Sequence, residues 1–298
     1  MPRLLPLSVL LLPVCAPAQD GLCPSWSDPQ MLGMLDIAVL NEASGIEIPP
    51  DGSRLYVMND GTNPIFDVMR LDGTGGKRVR IAGFRPLDLE DIALGPCGED
   101  QCVFLGDIGD NATRRDTVQV AIVIEREDYP ADVSPLRIVR ARYPDGPRDA
   151  EAMAVDANGD LWIVTKTPFR QPAPAEVYRL GAAALAADGV QTLEPRGTIP
   201  TTDLGRGASS RRVATGMDIA PDGRRFVFMT YDVAIEFAFA PGESVSAAWR
   251  DGGNFRTITL APLIQTEAVA YADNGRTIVY TTESVQGSPA PIFRQTCR

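Results

Sequence analysis

The chain has 298 residues, is 44% hydrophobic and carries a formal net charge of -11, with an isoelectric point of about 4.6. This length and apolar content suffice for one large domain with a substantial core. The acidic balance excludes nucleic-acid binding driven by neutralisation of phosphates. The sequence contains no histidine, which excludes His-activated nucleophiles and imidazole metal ligands.

The first 18 residues have the features of an export signal. Arg3 supplies a short basic region, an apolar stretch follows, and Ala16-Pro17-Ala18 forms a small-residue cleavage site. Cys15 would permit lipidation, but the bulky Val14 before it disfavours that alternative. We therefore expect residues 19–298 to form a secreted or periplasmic single-domain protein. No later stretch is apolar over the roughly 18 residues of a membrane span, and we expect a monomer.

Five segments of the chain share one pattern: a small or acidic start, a short strand, a tight turn, and a β-branched or aromatic strand that ends in polar residues. Asp-Gly or Asn-Gly turns between apolar runs are a strong signal for β-hairpins. In the second segment "GPCGEDQC" replaces the glycine turn. The segments begin at Ser44, Glu90, Glu151, Thr215 and Glu267.

Further strand-like runs follow each hairpin, which gives four strands per repeat. "PIFDVMRLD" and "KRVRIAG" follow the first hairpin, and similar pairs follow the next three. Repeats of four strands predict an all-β fold, a β-propeller of five blades, with six blades as the alternative. After the fifth hairpin only "APIFRQTC" remains, so we expect the N-terminal run "MLGMLDIAVL" to complete the last blade. The predicted core comprises alternating residues of the hairpins: Leu55, Val57, Phe104, Trp162, Val164, Phe226, Phe228, Ile278 and Tyr280.

Four cysteines remain after the export signal, and an oxidising compartment favours their pairing in disulfides. Four cysteines allow three pairings. Cys97 and Cys102 lie in one turn-like segment, whereas Cys23 and Cys297 lie near the two ends of the mature chain. Pairing local with local and end with end also suits the proposed closure of the last blade. Zinc is not supported, because neither histidine nor CxxC spacing is present.

Polar residues should converge at one end of the central channel, which we call the mouth. The first strand of a blade begins there and the second ends there. Inner strands bring Glu42, Glu90, Asp91, Glu151, Thr215 and Glu267 to the mouth. The second strands end in Asn59, Asp60, Asp107, Asp110, Asn111, Lys166, Tyr231, Asp232 and Glu283.

Two interpretations of these acids stay open. Close carboxylates raise one another's pKa, and a divalent cation relieves that repulsion. Calcium is the expected cofactor, because it accepts six to eight oxygen ligands in flexible geometry. The segment "DIGDN" lacks EF-hand spacing, so it would be one contributor to a shared site. The predicted ligands are Glu42, Glu90, Asp107, Asp110, Glu151 and Glu267. Alternatively, the carboxylates accept backbone N–H bonds from neighbouring blades and fix blade packing.

Basic residues near the mouth suggest a partner for the acids or for a ligand. Lys166 ends the apolar strand "LWIVTK", where its ammonium would face the acids, as a salt-bridge partner or an anion ligand. The loops on the mouth side also carry Arg114, Arg115, Arg148, Arg211 and Arg212.

The motifs "DLEDIALG", "GDIGDNATRR", "RYPDGPRDAEAMAVD", "VATGMDIAPDGRRFVFMTYD" and "TEAVAYADNGR" occur in this order over most of the mature chain. They resemble those of a family of secreted, mostly bacterial β-propeller proteins of no established activity. The resemblance implies the fold and export. More loosely, the acids that open inner strands are similar to those of calcium-centred propellers such as soluble apyrases, lactonases of the gluconolactonase type and propeller phytases.

Two functional hypotheses follow. In the first, the protein is a calcium-stabilised binding or interaction module whose mouth receives a small polar or anionic ligand. In the second, it is a calcium-dependent hydrolase of phosphate esters or lactones, with Glu151 activating water and with Lys166 and Arg148 stabilising negative charge. We favour the first, because the sequence contains no nucleophile motif.

Overall fold

The computed structural model describes residues 21–168, 173–201, 211–238 and 254–298. The predicted export signal at residues 1–18 lies outside these ranges. The described strands form five sheets, and their inner strands follow one another around a central channel. The prediction of a five-bladed β-propeller is confirmed.

Each blade is a meander of four antiparallel strands. Blade 1 consists of β2 (Ala43–Glu47), β3 (Leu55–Asn59), β4 (Ile65–Met69) and β5 (Lys77–Ile81). Blade 2 consists of β6 (Leu89–Cys97), β7 (Asp100–Asp107), β8 (Val118–Ile124) and β10 (Arg137–Arg142). Blade 3 consists of β11 (Ala150–Val155), β12 (Leu161–Thr165), β13 (Ala175–Leu180) and β15 (Glu194–Ile199). Blade 4 consists of β16 (Gly216–Ile219), β17 (Arg225–Met229), β18 (Val233–Ala238) and β19 (Asn254–Thr259). Blade 5 consists of β20 (Thr266–Ala272), β21 (Thr277–Thr282), β22 (Pro291–Thr296) and β1 (Gln30–Met34).

Two short strands lie on the outer edge of a preceding blade. The chain between β8 and β10 contributes β9 (Asp132–Val133), which pairs in parallel with β5 of blade 1. The chain between β13 and β15 contains the short helix α1 (Ala182–Leu185) and then β14 (Val190–Thr192), which pairs in parallel with β10 of blade 2. Strand β9 thus joins blades 1 and 2 at their outer edges, and β14 joins blades 2 and 3. Among the described residues, no helix is long and apolar enough to cross a membrane.

The core lies between adjacent blades, where the two faces of neighbouring sheets pack together. Trp162 and Val164 of blade 3 contact the cluster that contains Phe226 and Phe228 of blade 4. Alternation along each strand directs successive side chains to opposite faces, so both faces of the inner hairpins are buried. All nine predicted core residues are buried, which confirms that part of the sequence analysis.

The N-terminal strand closes the ring. Strand β1 pairs antiparallel with β22, with Gln30 opposite Arg294. The disulfide between Cys23 and Cys297 joins the two ends beside this pairing. The second disulfide, Cys97–Cys102, links β6 to β7 across their turn. Both predicted bridges and the predicted closure are therefore confirmed.

Three buried carboxylates of the inner strands brace neighbouring blades. Asp91 accepts hydrogen bonds from Ile92 N at 2.8 Å and from Met153 N of blade 3 at 2.8 Å. Two further carboxylates join blades in the same way. Asp218 accepts hydrogen bonds from Ile219 N and Tyr271 N. Glu47 accepts them from Ile48 N and Leu94 N. The bracing interpretation thus holds for Asp91, and Glu47 and Asp218 have the same role further along their inner strands.

Candidate cation site at the channel mouth

The loop "DIGDN" after β7 organises one side of the mouth. Asp107 Oδ1 accepts hydrogen bonds from Leu87 N at 3.0 Å and from Asp88 N at 2.9 Å, and its Oδ2 pairs with Arg115 at 2.7 Å. Gly109 then passes close to two acids, since a Cβ there would lie 2.2 Å from Glu90 Oε1 and 2.6 Å from Asp88 Oδ2. A side chain at this position would therefore displace the acids of the mouth.

Asp110 completes this loop and leads to a further acid. Its Oδ2 accepts hydrogen bonds from Arg114 N and Arg115 N, both at 2.7 Å. Its own N–H donates to Asp149 Oδ1 at 2.7 Å. The loop thus uses Asp107 and Asp110 internally and positions Asp88 and Asp149, each two residues before the glutamate of an inner strand.

Three carboxylates from blades 1 and 2 converge at the mouth. One oxygen each of Asp60, Asp88 and Glu90 lies within 4.8 Å of the others. A backbone bridge between Gly61 and Leu89 holds the two segments together, with Leu89 N donating to Gly61 O at 2.8 Å. Asp60 Oδ1 is buried and meets no hydrogen-bond donor within the described parts of the chain. The three oxygens are spaced as ligands of one cation would be.

Burial and mutual repulsion make these acids bind protons tightly. Burial, with the nearby carboxylates of Asp88 and Glu42, raises the pKa of Asp60 to about 6. The pKa of Glu90 lies well above its usual value, first because it is buried and then because Glu151 and Asp60 are close. The pKa of Asp88 is also raised, by burial and by Asp149. Lys166 and Arg115 offset part of this repulsion, and a divalent cation would supply the further positive charge that relieves it.

Blade 3 places a lysine among the acids. Lys166 Nζ contacts Glu151 Oε1 and lies 5.5 Å from the centroid of the Tyr231 ring. Burial would lower the pKa of Lys166, but Glu151, Tyr231 and Glu267 together raise it, so the ammonium stays charged. Burial raises the pKa of Glu151 to about 8, although Lys166 lowers it. The predicted encounter of Lys166 with the acids therefore occurs.

Blade 5 supplies two acids that share one amide. Gln265 Nε2 donates to Glu267 Oε1 at 2.9 Å and also contacts Glu283 Oε2. Glu267 Oε2 is buried and has no hydrogen-bond partner among the residues described. Burial, with the charges of Asp60 and Glu42, raises the pKa of Glu283 to about 7. The carboxylates of blades 1, 2, 3 and 5 are thus close enough to raise one another's pKa across the mouth.

Other residues that the sequence assigned to the mouth have different partners. Arg148 donates to Glu176 at 2.5 Å and to Asp145 at 2.9 Å, on the blade 3 side, and contacts neither Glu151 nor Lys166 through these bonds. Glu42 is exposed. The ligand roles of Glu42, Asp107, Asp110, Glu151 and Glu267 stay predictions.

Sequence reasoning missed Asp88, Asp149 and Gln265. A signal for them was present, because an oxygen-bearing residue stands two positions before the first glutamate in "DLE", "DAE" and "QTE". Residues two apart on an extended chain point to the same side. The repeated spacing therefore indicates a second layer of polar side chains at the mouth.

The raised pKa values predict that the chelated protein loses stability between about pH 5 and pH 8. Unfolded carboxyls have a pKa near 4, whereas burial and nearby acids raise the pKa of Asp60 to about 6 and that of Glu283 to about 7 in the folded protein. The folded state then binds more protons than the unfolded state across this window, so stability is highest at its acidic end and falls as pH rises. Urea denaturation in EDTA measures the slope. A double variant, Asp60→Asn with Glu283→Gln, should reduce this slope, and a stability that rises across the window in the unaltered protein would contradict this account.

No family model matches the sequence, and no curated protein matches it either, so the resemblance to the family of secreted propellers stays a prediction. Solved structures show the fold. The allergen Mala s 1 of Malassezia sympodialis has a TM-score of 0.54 at 12% identity, covering 90% of this chain and 96% of that chain. The PQQ-bound aldose sugar dehydrogenase of Streptomyces coelicolor has a TM-score of 0.52 at 12% identity, covering 91% and 98%. The apo form of the soluble aldose sugar dehydrogenase of Escherichia coli has 0.50 at 11%, covering 92% and 100%. These similarities show that the chain has a β-propeller fold. At this level of identity they concern the fold alone.

Proposed function

We propose that this protein is an exported binding module that holds calcium at the mouth of its propeller and receives a small polar or anionic ligand there. The observation that carries the proposal is the approach of Asp60, Asp88 and Glu90 oxygens to within 4.8 Å of one another. Export is supported by the two disulfides, since such bonds persist in oxidising compartments.

The chemistry of the donors favours a hard cation, and calcium is the one we propose. All the candidate ligand atoms are carboxylate oxygens, which suit hard cations, and the sequence has no histidine for softer ones. Three carboxylates leave coordination positions for water or for a ligand, because calcium takes six to eight oxygens. A bound cation together with Lys166 would let an anionic group approach the acidic mouth.

Calcium should therefore raise the melting temperature of the chelated protein. A ligand at a hundredfold excess over its Kd stabilises the folded state by about 2.7 kcal/mol. The double variant Asp60→Asn with Glu90→Gln should lose this response. Because it also relieves repulsion, it should melt no lower than the chelated unaltered protein, which separates lost binding from misfolding. Differential scanning calorimetry with and without millimolar calcium measures both.

The matched control is Asp188→Asn, which removes a carboxylate whose side chain is fully exposed. It should keep the full calcium response. The proposal fails if calcium leaves the melting temperature of the unaltered protein unchanged, or if it stabilises the mouth variant as much as the control.

One observation favours hydrolysis as a second candidate. Glu151 is a buried carboxyl whose pKa of about 8 is suited to proton transfer near neutral pH, and it contacts the ammonium of Lys166. In a hydrolase, Glu151 would accept a proton from the water that attacks a phosphate ester or lactone, and Lys166 would stabilise the charge that develops on the substrate oxygen. The part assigned to Arg148 stays a prediction.

We expect no turnover when the protein with calcium is assayed against phosphate monoesters, phytate, nucleotides and lactones. If it is a hydrolase, Lys166→Met should lower the rate by about a hundredfold or more, and Glu151→Gln by about a hundred- to ten-thousandfold. Melting temperatures of both variants show whether the site remains folded. A saturable, calcium-dependent rate that both substitutions abolish without a lower melting temperature would establish the hydrolase and overturn the binding module.

A further inference from the structure

A cavity lies at the turn end of the propeller between blades 2 and 3, away from the mouth. Its volume is about 540 Å³. The hairpin turns of the two blades form its inner wall, at Pro96 to Gly98 and at Ala157 to Gly159. Helix α1, which lies between β13 of blade 3 and β14, forms the outer wall with Ala182, Leu185 and Ala186. Helix α1 thus covers part of the space between the two blades.

The lining of this cavity is mainly apolar. Phe104, Ile122 and Leu185 are buried and form its floor. Leu136, at the rim, remains 56% exposed. On the inner side the walls of the cavity lie close together, since a Cβ on Gly159 would lie 3.1 Å from Pro96 O and 3.4 Å from Ala182 Cβ. The cavity is therefore closed on its inner side and open to solvent at the rim.

One charged residue lines the cavity, Arg137 at the start of β10. Its Nη1 pairs with Asp188 at 2.8 Å and donates to Ala187 O at 3.2 Å. The Asp188 side chain is fully exposed. An exposed ion pair of this kind contributes little to stability, so a ligand anion can share or replace it.

We propose that this cavity binds a small amphipathic anion, an apolar chain that ends in a carboxylate, with the chain against Phe104 and Leu185 and the carboxylate at Arg137. Small-molecule sites usually have volumes of about 300 to 1,000 Å³ and combine an apolar lining with a few polar groups that orient the ligand. The cavity meets both conditions. This site is independent of the calcium proposal, because the two lie at opposite ends of the blades and share no residue.

Decanoate is the probe, titrated into the full-length mature protein in EDTA by isothermal calorimetry. We expect saturable binding of one decanoate per chain. Ala182→Phe should abolish it, because this exposed alanine lines the cavity and a larger side chain there would fill the space without disturbing the core. The matched control is Ala183→Phe, on the same helix and exposed but outside the lining. It should bind decanoate as the unaltered protein does.

The role of Arg137 is tested with a second pair of variants. Arg137→Gln should weaken decanoate about tenfold, as expected for the loss of one charge-assisted hydrogen bond, and leave the binding of decanol unchanged. Arg140→Gln, which removes an exposed arginine three residues along β10, should change neither. Absence of decanoate binding, equal binding to Ala182→Phe and Ala183→Phe, or equal loss in the two arginine variants would overturn the proposal.

Discussion

Replacing both Cys23 and Cys297 with serine is expected to lower the free energy of unfolding by about 5 kcal/mol. The bridge joins residues 274 apart, nearly the whole mature chain, and the loop-entropy model assigns about this value to so long a loop. The loss should extend to the pairing of β1 with β22, because the bridge anchors the segment that precedes β1. Urea denaturation measured against the unaltered protein gives the difference.

The matched comparison is Cys97→Ser with Cys102→Ser, which removes a bridge between residues only 5 apart and should cost about 2 kcal/mol in the same model. The account of ring closure is wrong if the two double variants are equally stable. It is also wrong if hydrogen exchange shows that β1 stays as protected without its bridge as with it.

Glu236→Gln should lower the free energy of unfolding by about 3 to 5 kcal/mol, the usual effect of removing one partner from a buried ion pair. The Glu236 side chain is fully buried and pairs with Arg225 at 3.0 Å. It also accepts hydrogen bonds from Tyr271 OH at 3.2 Å and from Cys23 N at 2.8 Å. One carboxylate thus connects blade 4, blade 5 and the N-terminal segment.

The control for this prediction is Glu194→Gln, which removes a half-exposed carboxylate paired with Arg179 and Arg196. Exposed pairs contribute about 0 to 1 kcal/mol, so this variant should remain close to the unaltered protein in stability. If thermal or urea denaturation shows equal effects for the two substitutions, Glu236 does not hold the blades together as the structure indicates.

The repeats allowed most of the fold to be predicted. Turns such as "PDG" and "NG" between apolar runs specify four local hairpins, and with the hairpin around "GPCGEDQC" they recur at similar intervals and specify blades. The closure by β1 followed from one unassigned strand and one incomplete blade. Strands β9 and β14 were not predicted, because runs of two and three residues with little burial carry no periodic signal. Their positions depend on the edges of other blades.

The site was less predictable, because it depends on which side chains meet across blades. Glu90 and Asp91 are adjacent in "LED", and the sequence placed both at the mouth. In the structure Glu90 joins Asp60 and Asp88, whereas Asp91 clasps Met153 N of blade 3. The pairing of β6 with β7 also shifts register between Leu89 and Asp91. Such irregularities follow from tertiary packing and are not encoded in a spacing pattern.

A crystal structure of the protein grown or soaked in calcium tests the central claim most directly. We predict one strong density peak at the mouth, with oxygens of Asp60, Asp88 and Glu90 at about 2.3 to 2.6 Å from it, as calcium requires. Anomalous scattering would distinguish the ion from water. A mouth that contains only water, with these three carboxylates further apart than a shared ligand sphere allows, would contradict the account.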